Sequence, residues 1–135
     1  MPLTVNRREV EDIVILDLAG RLVLGPEASE LRRAFEQLKL EKKNRIALNL
    51  KDVEYIDSTG LGTLVVGHSS AKQSGGAMKL IHVSKRIAGL LILTKLSTVF
   101  EIFENERSAI DSFFPGREIK HFDILEFVKR DTAEG

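Results

Sequence analysis

Asp57-Ser58-Thr59-Gly60-Leu61-Gly62 stands between two apolar runs, Ile46-Ala47-Leu48-Asn49-Leu50 before it and Leu64-Val65-Val66 after it. The first run is short and bounded, the pattern of a buried strand, and it predicts a strand ending near Leu50. The second belongs to a helical pattern that starts at Ser58 and stops at Ser74, before the terminator Gly75-Gly76. The junction therefore places hydroxyls at the positive end of a helix, where the first N–H groups have no intrahelical partner. A hydroxyl there caps the helix, receives a phosphate, or does each at different times. Ser58 suits the capping position, and so does Asp57 one residue earlier. Gly60 and Gly62 do not serve helix stability, since each costs about 1 kcal/mol relative to alanine. Their expected effect is to clear side chains from around Ser58 and leave the helix start open to something large.

Working outward, Ile13 to Leu18 reads as a strand, with Val5 to Val10 as a weaker edge strand joined to it through Glu11-Asp12. Gly20 and Gly25 bracket a short connection. Pro26 fits a first helical position, followed by Glu27 and Glu30 in the first turn. Ala28, Leu31, Phe35 and Leu38 recur at helical spacing, and Lys39, Lys42 and Lys43 lie near the negative end of that helix. Met78 to Val83 predicts a strand, and Ser84 caps a helix through about Leu96 with Ile87, Leu90 and Leu91 inward. Val99 to Phe103 predicts a short strand, and Asn105 or Glu106 begins a helix ending near Phe114. Pro115-Gly116 is a break. The alternation implies an α/β fold, a mixed and mostly parallel sheet of about four to five strands with four helices mainly on one face. Residues 1–114 form the domain. Residues 115–135 form an extension, in which Ile119, Phe122, Leu125 and Phe127-Val128 suit an amphipathic helix or a strand, and Asp131 to Gly135 a frayed tail.

Composition bounds the function. The chain has 135 residues, 20 basic and 20 acidic, so it carries no net charge and no basic excess for gripping nucleic acid. It contains no cysteine, which excludes disulfide and thiolate chemistry and agrees with a reducing cytosol. Its first residues lack the apolar core of a signal peptide, and no apolar run approaches the roughly 20 residues that cross a bilayer. A cytoplasmic protein without direct membrane insertion is the expectation. His68, His82 and His121 are scattered, and no metal or other cofactor is expected. Gly60-Leu61-Gly62 lacks the third glycine of a dinucleotide loop, Val65 standing in its place, and no Gly-Lys-Ser or Gly-Lys-Thr loop occurs. Ser58 is not a hydrolase nucleophile by pattern either, because Ile56 occupies the position where a glycine is required.

Along the helix after Ser58, the small residues Gly60, Thr63, Gly67, Ser70 and Ser74 recur every three or four positions. They form a stripe that admits another backbone closely, either a neighbouring helix of this chain or a protein partner. Leu61, Leu64, Val65 and His68 are assigned to a different, core-facing side. Lys85-Arg86 and Lys129-Arg130 read as solvated pairs, and Phe113-Phe114 as the closure of a core edge.

The central motif, preceded by Leu48-Asn49-Leu50 and Tyr55-Ile56, resembles the signature of the STAS domain, and more narrowly that of bacterial anti-sigma factor antagonists. Leu18-Ala19-Gly20-Arg21-Leu22 resembles the family's Gly-containing strand end. Gly75-Gly76-Ala77-Met78-Lys79-Leu80 resembles the approach to its fourth strand. Leu96 to Phe103, followed by Ala109-Ile110, resembles its closing strand and helix. The resemblance spans about residues 3 to 113. It implies a partner switch: the unmodified protein binds a serine-kinase anti-sigma factor and frees a sigma factor, phosphorylation breaks the complex, and a serine phosphatase resets it. By position the resemblance makes Ser58 the acceptor, with Thr59 second. Asp57, Ser58, Thr59, Gly60, Gly62, Thr63, Val66 and Gly67 are then the expected partner-binding residues, on a protein that is a kinase substrate and not an enzyme. The family's acidic residue after the strand-end glycine is missing, since Arg21-Leu22-Val23-Leu24 has no acid before Glu27. Two other readings follow from the same resemblance: a non-exchanging scaffold subunit of a stress-sensing or transport assembly, and a small-ligand or nucleotide binder. The extension after Pro115 either packs on the domain or mediates a homodimer or larger assembly.

Overall fold

The computed structural model describes residues 2–134, without the side chains of 131–134. Its strands are β1 (Thr4–Val10), β2 (Ile13–Leu22), β3 (Arg45–Ile56), β4 (Ala77–Ile81) and β5 (Ile102–Phe103). Its helices are α1 (Pro26–Leu40), α2 (Ser58–Gln73), α3 (Lys85–Leu93), α4 (Glu106–Asp111) and α5 (Ile124–Glu134). The five strands form one sheet in chain order. β1 runs antiparallel to β2, and every later pair is parallel. That is the mixed, mostly parallel sheet the alternation implied.

Strand period 2 sorts the side chains into two layers. Val14, Leu16 and Leu18 of β2, Ile46, Leu48 and Leu50 of β3, and Met78 and Leu80 of β4 point to one side, where α1, α2 and α3 supply Leu31, Phe35, Leu38, Leu61, Leu64, Ile87 and Leu91. The opposite layer is smaller: Ile13, Ile15 and Ala47 meet Ile110 of α4, with Phe113 and Phe114 beside them. This is the core edge expected for the two phenylalanines. Beyond it the same face turns polar. Arg8 clasps Asp17 through Nε and Nη2 at 2.6 and 3.0 Å and Glu106 through Nη2 at 2.6 Å. Asn49 donates to Asp17 at 2.8 Å, so three elements are tied to α4. Lys79, only 5% exposed, donates to the Ser112 hydroxyl at 2.8 Å and carbonyl at 3.3 Å, which satisfies the α4 C-terminus. Its ammonium lies 4.3 Å from the Phe113 ring centroid.

Three expectations need correction. The strand expected over Val99 to Phe103 is only Ile102–Phe103, since Val99 closes the 3-10 turn that precedes it. β3 does not end at Leu50 but runs to Ile56. Lys51-Asp52 disguises the continuation, which is held by pairing of Ala19, Gly20, Arg21 and Leu22 with Asp52, Val53, Tyr55 and Ile56 across irregular registers. The helix after Ser84 ends at Leu93 and gives way through Lys95, at φ 64°, to a 3-10 turn at Leu96–Thr98. Ser84 caps this helix as expected, its Oγ accepting from Ile87 N at 3.1 Å. Asn105 caps α4 in the same way.

The extension is helical from Ile124, and α5 lies against α3 with Ile124, Phe127 and Val128 packed on the main core. Leu125, assigned to the apolar side in advance, is 58% exposed. Of the expected frayed tail, the backbone of 131–134 continues the helix, while those side chains and residue 135 lie outside the described residues.

Candidate functional site

Asp57, not Ser58, caps α2. Its backbone is extended, and its Oδ1 accepts from Gly60 N at 2.8 Å. Its Oδ2 accepts from Leu24 N at 2.9 Å, and its own N–H donates to Leu22 O at 3.2 Å. One side chain thus caps the helix and fastens the loop between β2 and α1 to it. The amides of Leu24 and Gly60, in that order of importance, hold the Asp57 carboxyl below the ordinary aspartate range. The carboxylate is therefore ionised at neutral pH and stays an acceptor.

Ser58 is the first helical residue and exposed, and its hydroxyl makes no hydrogen bond among the described residues. Thr59 is half-buried, and its carbonyl accepts from Thr63 Oγ1 at 3.0 Å. The Ser58 hydroxyl is thus accessible on the first residue of the helix. The α5 extension lies against α3 and does not cover it. The exposed line continues at helical spacing through Gly62 and Val66, which is 48% exposed.

Of the two readings of the small-residue stripe, part of it follows the one within the chain. Gly60, Thr63 and Gly67 are buried on the same broad face as Leu61, Leu64 and Ala71. A Cβ at Gly60 would sit 2.2 Å from Leu22 O. A Cβ at Gly67 would sit 2.5 Å from the Phe35 ring. These positions were expected to meet a partner; they admit β2 and α1 of the chain itself. Gly62 differs, because a Cβ there meets nothing within 4 Å. Of the eight expected residues, the structure brings Ser58, Gly62 and Val66 to one open surface. Asp57 and Thr59 lie at its edge, and Gly60, Thr63 and Gly67 beneath it.

The sequence reading passed over Leu24, which is 73% exposed beside the cap. Tyr55 was quoted only for its resemblance; it is exposed, and the Arg21 guanidinium lies 5.3 Å from its ring centroid. Leu24 stands just before Gly25-Pro26, so an apolar residue in a turn was the available signal. His68 is half-buried, with its ring edge-on to Phe100 at 5.4 Å. No helix is long and apolar enough to cross a membrane among the described residues.

The STAS domain family matches residues 4–109 of this chain. The anti-sigma-B factor antagonist of Bacillus subtilis is 32% identical over 102 residues, covering 76% of this chain and 92% of that protein. The crystal structure of a candidate anti-sigma factor antagonist from Thermotoga maritima has a TM-score of 0.76 at 29% identity, covering 81% of this chain and 93% of the other. Bacillus SpoIIAA in its phosphorylated form has the same fold, with a TM-score of 0.64 at 17% identity over 81% of this chain and 98% of that one. The alternating sheet and helices, the Asp57 junction and these likenesses agree: the chain belongs to the STAS domain family.

Proposed function

We propose that this protein is an anti-sigma factor antagonist that docks on a serine-kinase anti-sigma factor through the exposed start of α2 and is released when that kinase phosphorylates Ser58. The observation that carries the reading is the division of labour at the junction. Asp57 holds the cap, so the Ser58 hydroxyl is free and exposed at the first position of the helix. A phosphate there adds about −1.5 to −2 charges at pH 7. The unpaired N–H groups and dipole of the α2 N-terminus favour that charge. SpoIIAA keeps the STAS fold in its phosphorylated form, which supports a fold that survives modification. The cost falls on a partner that has buried Ser58 against the apolar flank of Leu24 and Val66. A penalty of about 3 to 4 kcal/mol weakens binding a few hundredfold. A serine phosphatase then restores the binding form. The chain is in this account a substrate and a binding module, acting in the cytoplasm, with no chemistry of its own.

The test is affinity capture from native lysate with wild type, Ser58→Ala and Ser58→Asp, followed by mass spectrometry of the bound proteins. Wild type and Ser58→Ala retain a serine kinase, and Ser58→Asp, equally folded, does not. Incubation of the captured kinase with ATP and wild-type protein places phosphate on Ser58, with Thr59 the second choice. Equal recovery of the kinase by all three proteins would remove the switch.

A further inference from the structure

At the end remote from Ser58, the groove between α1 and α2 deepens into a cavity of about 220 Å³. The 16 residues of α2 separate the two places by on the order of 20 Å. The floor is apolar, made by the buried Phe35, Leu38, Ile46 and Ala71. Three lysines, Lys39, Lys42 and Lys43, are among the residues that line it. Lys43 is paired with Glu9 at 2.5 Å, whereas Lys39 and Lys42 have no ion-pair partner among the described residues. Among the carboxylates at this end, Glu41 is occupied by Arg7 and Glu9 by Lys43, while Asp12, beside Lys42 and Lys43, and Glu36, beside Lys39, make no ion pair with them among the described residues.

Lysines near a helix C-terminus ordinarily answer its negative dipole end, and Lys39 in the last turn of α1 does so. Lys42 needs more than that. It holds φ 60°, in the left-handed region. There it forms the αL position of a Schellman cap, in which Lys43 N donates to Leu38 O at 2.9 Å. α2 ends in the same motif, Gly76 N donating to Ala71 O at 2.9 Å, with Gly75 at the αL position. Glycine adopts that conformation freely, and a lysine gives up conformational energy to do so. A cation for the dipole alone needs no such place. The two helix ends contribute about half a negative charge each, so two unpaired ammonium groups leave the solvent side positive.

We propose that this cavity binds a small organic anion, with an apolar ring or short alkyl chain on the floor and one carboxylate or phosphate group at Lys39 and Lys42. A cavity of roughly 150 Å³ lined by leucine, isoleucine and phenylalanine is enough for benzene, so the size here suits a body of that order. The site is independent of the Ser58 switch.

The test is titration of the isotope-labelled full chain with octanoate, followed by amide NMR. The amides of Gly67, Ser70, Ala71 and Ser74 shift saturably. Octanol, the same body without charge, and inorganic phosphate, the charge without the body, bind at least about tenfold more weakly, as expected for losing one hydrogen bond to a charged group. Benzoate in place of octanoate distinguishes a ring site from a chain site. Lys42→Gly melts no lower than wild type, because glycine is the preferred residue in that cap, yet binds octanoate about tenfold more weakly. Absence of saturable shifts in the millimolar range, equal binding of octanol, or unchanged affinity in Lys42→Gly would overturn the assignment.

Discussion

At the scale of single residues, Asp57 and Ser58 divide two tasks that one polar side chain at a helix start usually combines. Asp57→Ala removes a cap and leaves the Leu24 amide without its acceptor, so urea unfolding registers a loss of about 1 to 2 kcal/mol. Ser58→Asp removes no hydrogen bond, and the same measurement changes by no more than about 0.5 kcal/mol. The Asp57 carboxyl also sets a pH dependence. Its folded-state pKa is depressed, so its contribution is complete above the unfolded value of roughly 3.9 and disappears as pH falls through the folded value. Asp57→Asn, which keeps an acceptor but cannot titrate, therefore shows a shallower loss of stability below about pH 4 than wild type. A slope identical in the two proteins would separate the acid response from this residue.

At the scale of the element, the glycines of α2 are three different cases. Gly60→Ala drives a methyl into the Leu22 carbonyl and costs about 1 to 3 kcal/mol through backbone displacement. Gly67→Ala meets the Phe35 ring, a side chain that can be changed, so Phe35→Leu in the same chain recovers part of the loss in a double-mutant cycle. Gly62→Ala meets nothing and stabilises the helix by up to about 1 kcal/mol. If Gly62 faces the kinase, that variant melts higher and binds the partner less well. The presence of α2, its bounds and its break at Gly75-Gly76 were legible from spacing and residue type alone. The orientation of its small residues was not. Leu61 and Leu64 announce a buried side, but glycine and threonine carry no hydrophobic signal. Whether Gly67 met a partner or Phe35 depended on an α1 ring 32 positions earlier in the chain. The true extent of β3 was hidden for a similar reason, since Lys51 and Asp52 are solvent-facing residues of a strand whose partner residues lie in β2.

At the scale of the whole molecule, the mixed and mostly parallel sheet follows from the alternation of strands and helices in the sequence, whereas the order of its strands and the second layer under α4 did not. The polar assemblies behind the sheet were not anticipated, because each draws its members from separate elements. Arg8, Asp17, Asn49 and Glu106 become neighbours only once β1, β2, β3 and α4 are in place. The C-terminal helix, by contrast, was one of the two readings given to the extension, and its seat on α3 is what the structure adds. A chain ending at Gly116 loses the packing of Ile124, Phe127 and Val128 on the main core, worth about 2 to 4 kcal/mol for three partly buried side chains. It leaves the start of α2 untouched, so it unfolds at lower urea and, on the proposed function, still retains the kinase. Loss of the kinase from a folded truncated chain would instead bring α5 into the docking surface.

The bond from Leu24 to the Asp57 carboxylate joins residues 33 positions apart, and it makes the surroundings of Ser58, the proposed phosphoacceptor, a property of shape. A kinase that grips this surface reads a conformational epitope. A synthetic peptide spanning the β3–α2 junction, or the same chain held in denaturant, presents the serine but not the loop beside it, and is a poor acceptor. Linear consensus motifs will then fail to find such substrates, and only folded libraries will reveal them.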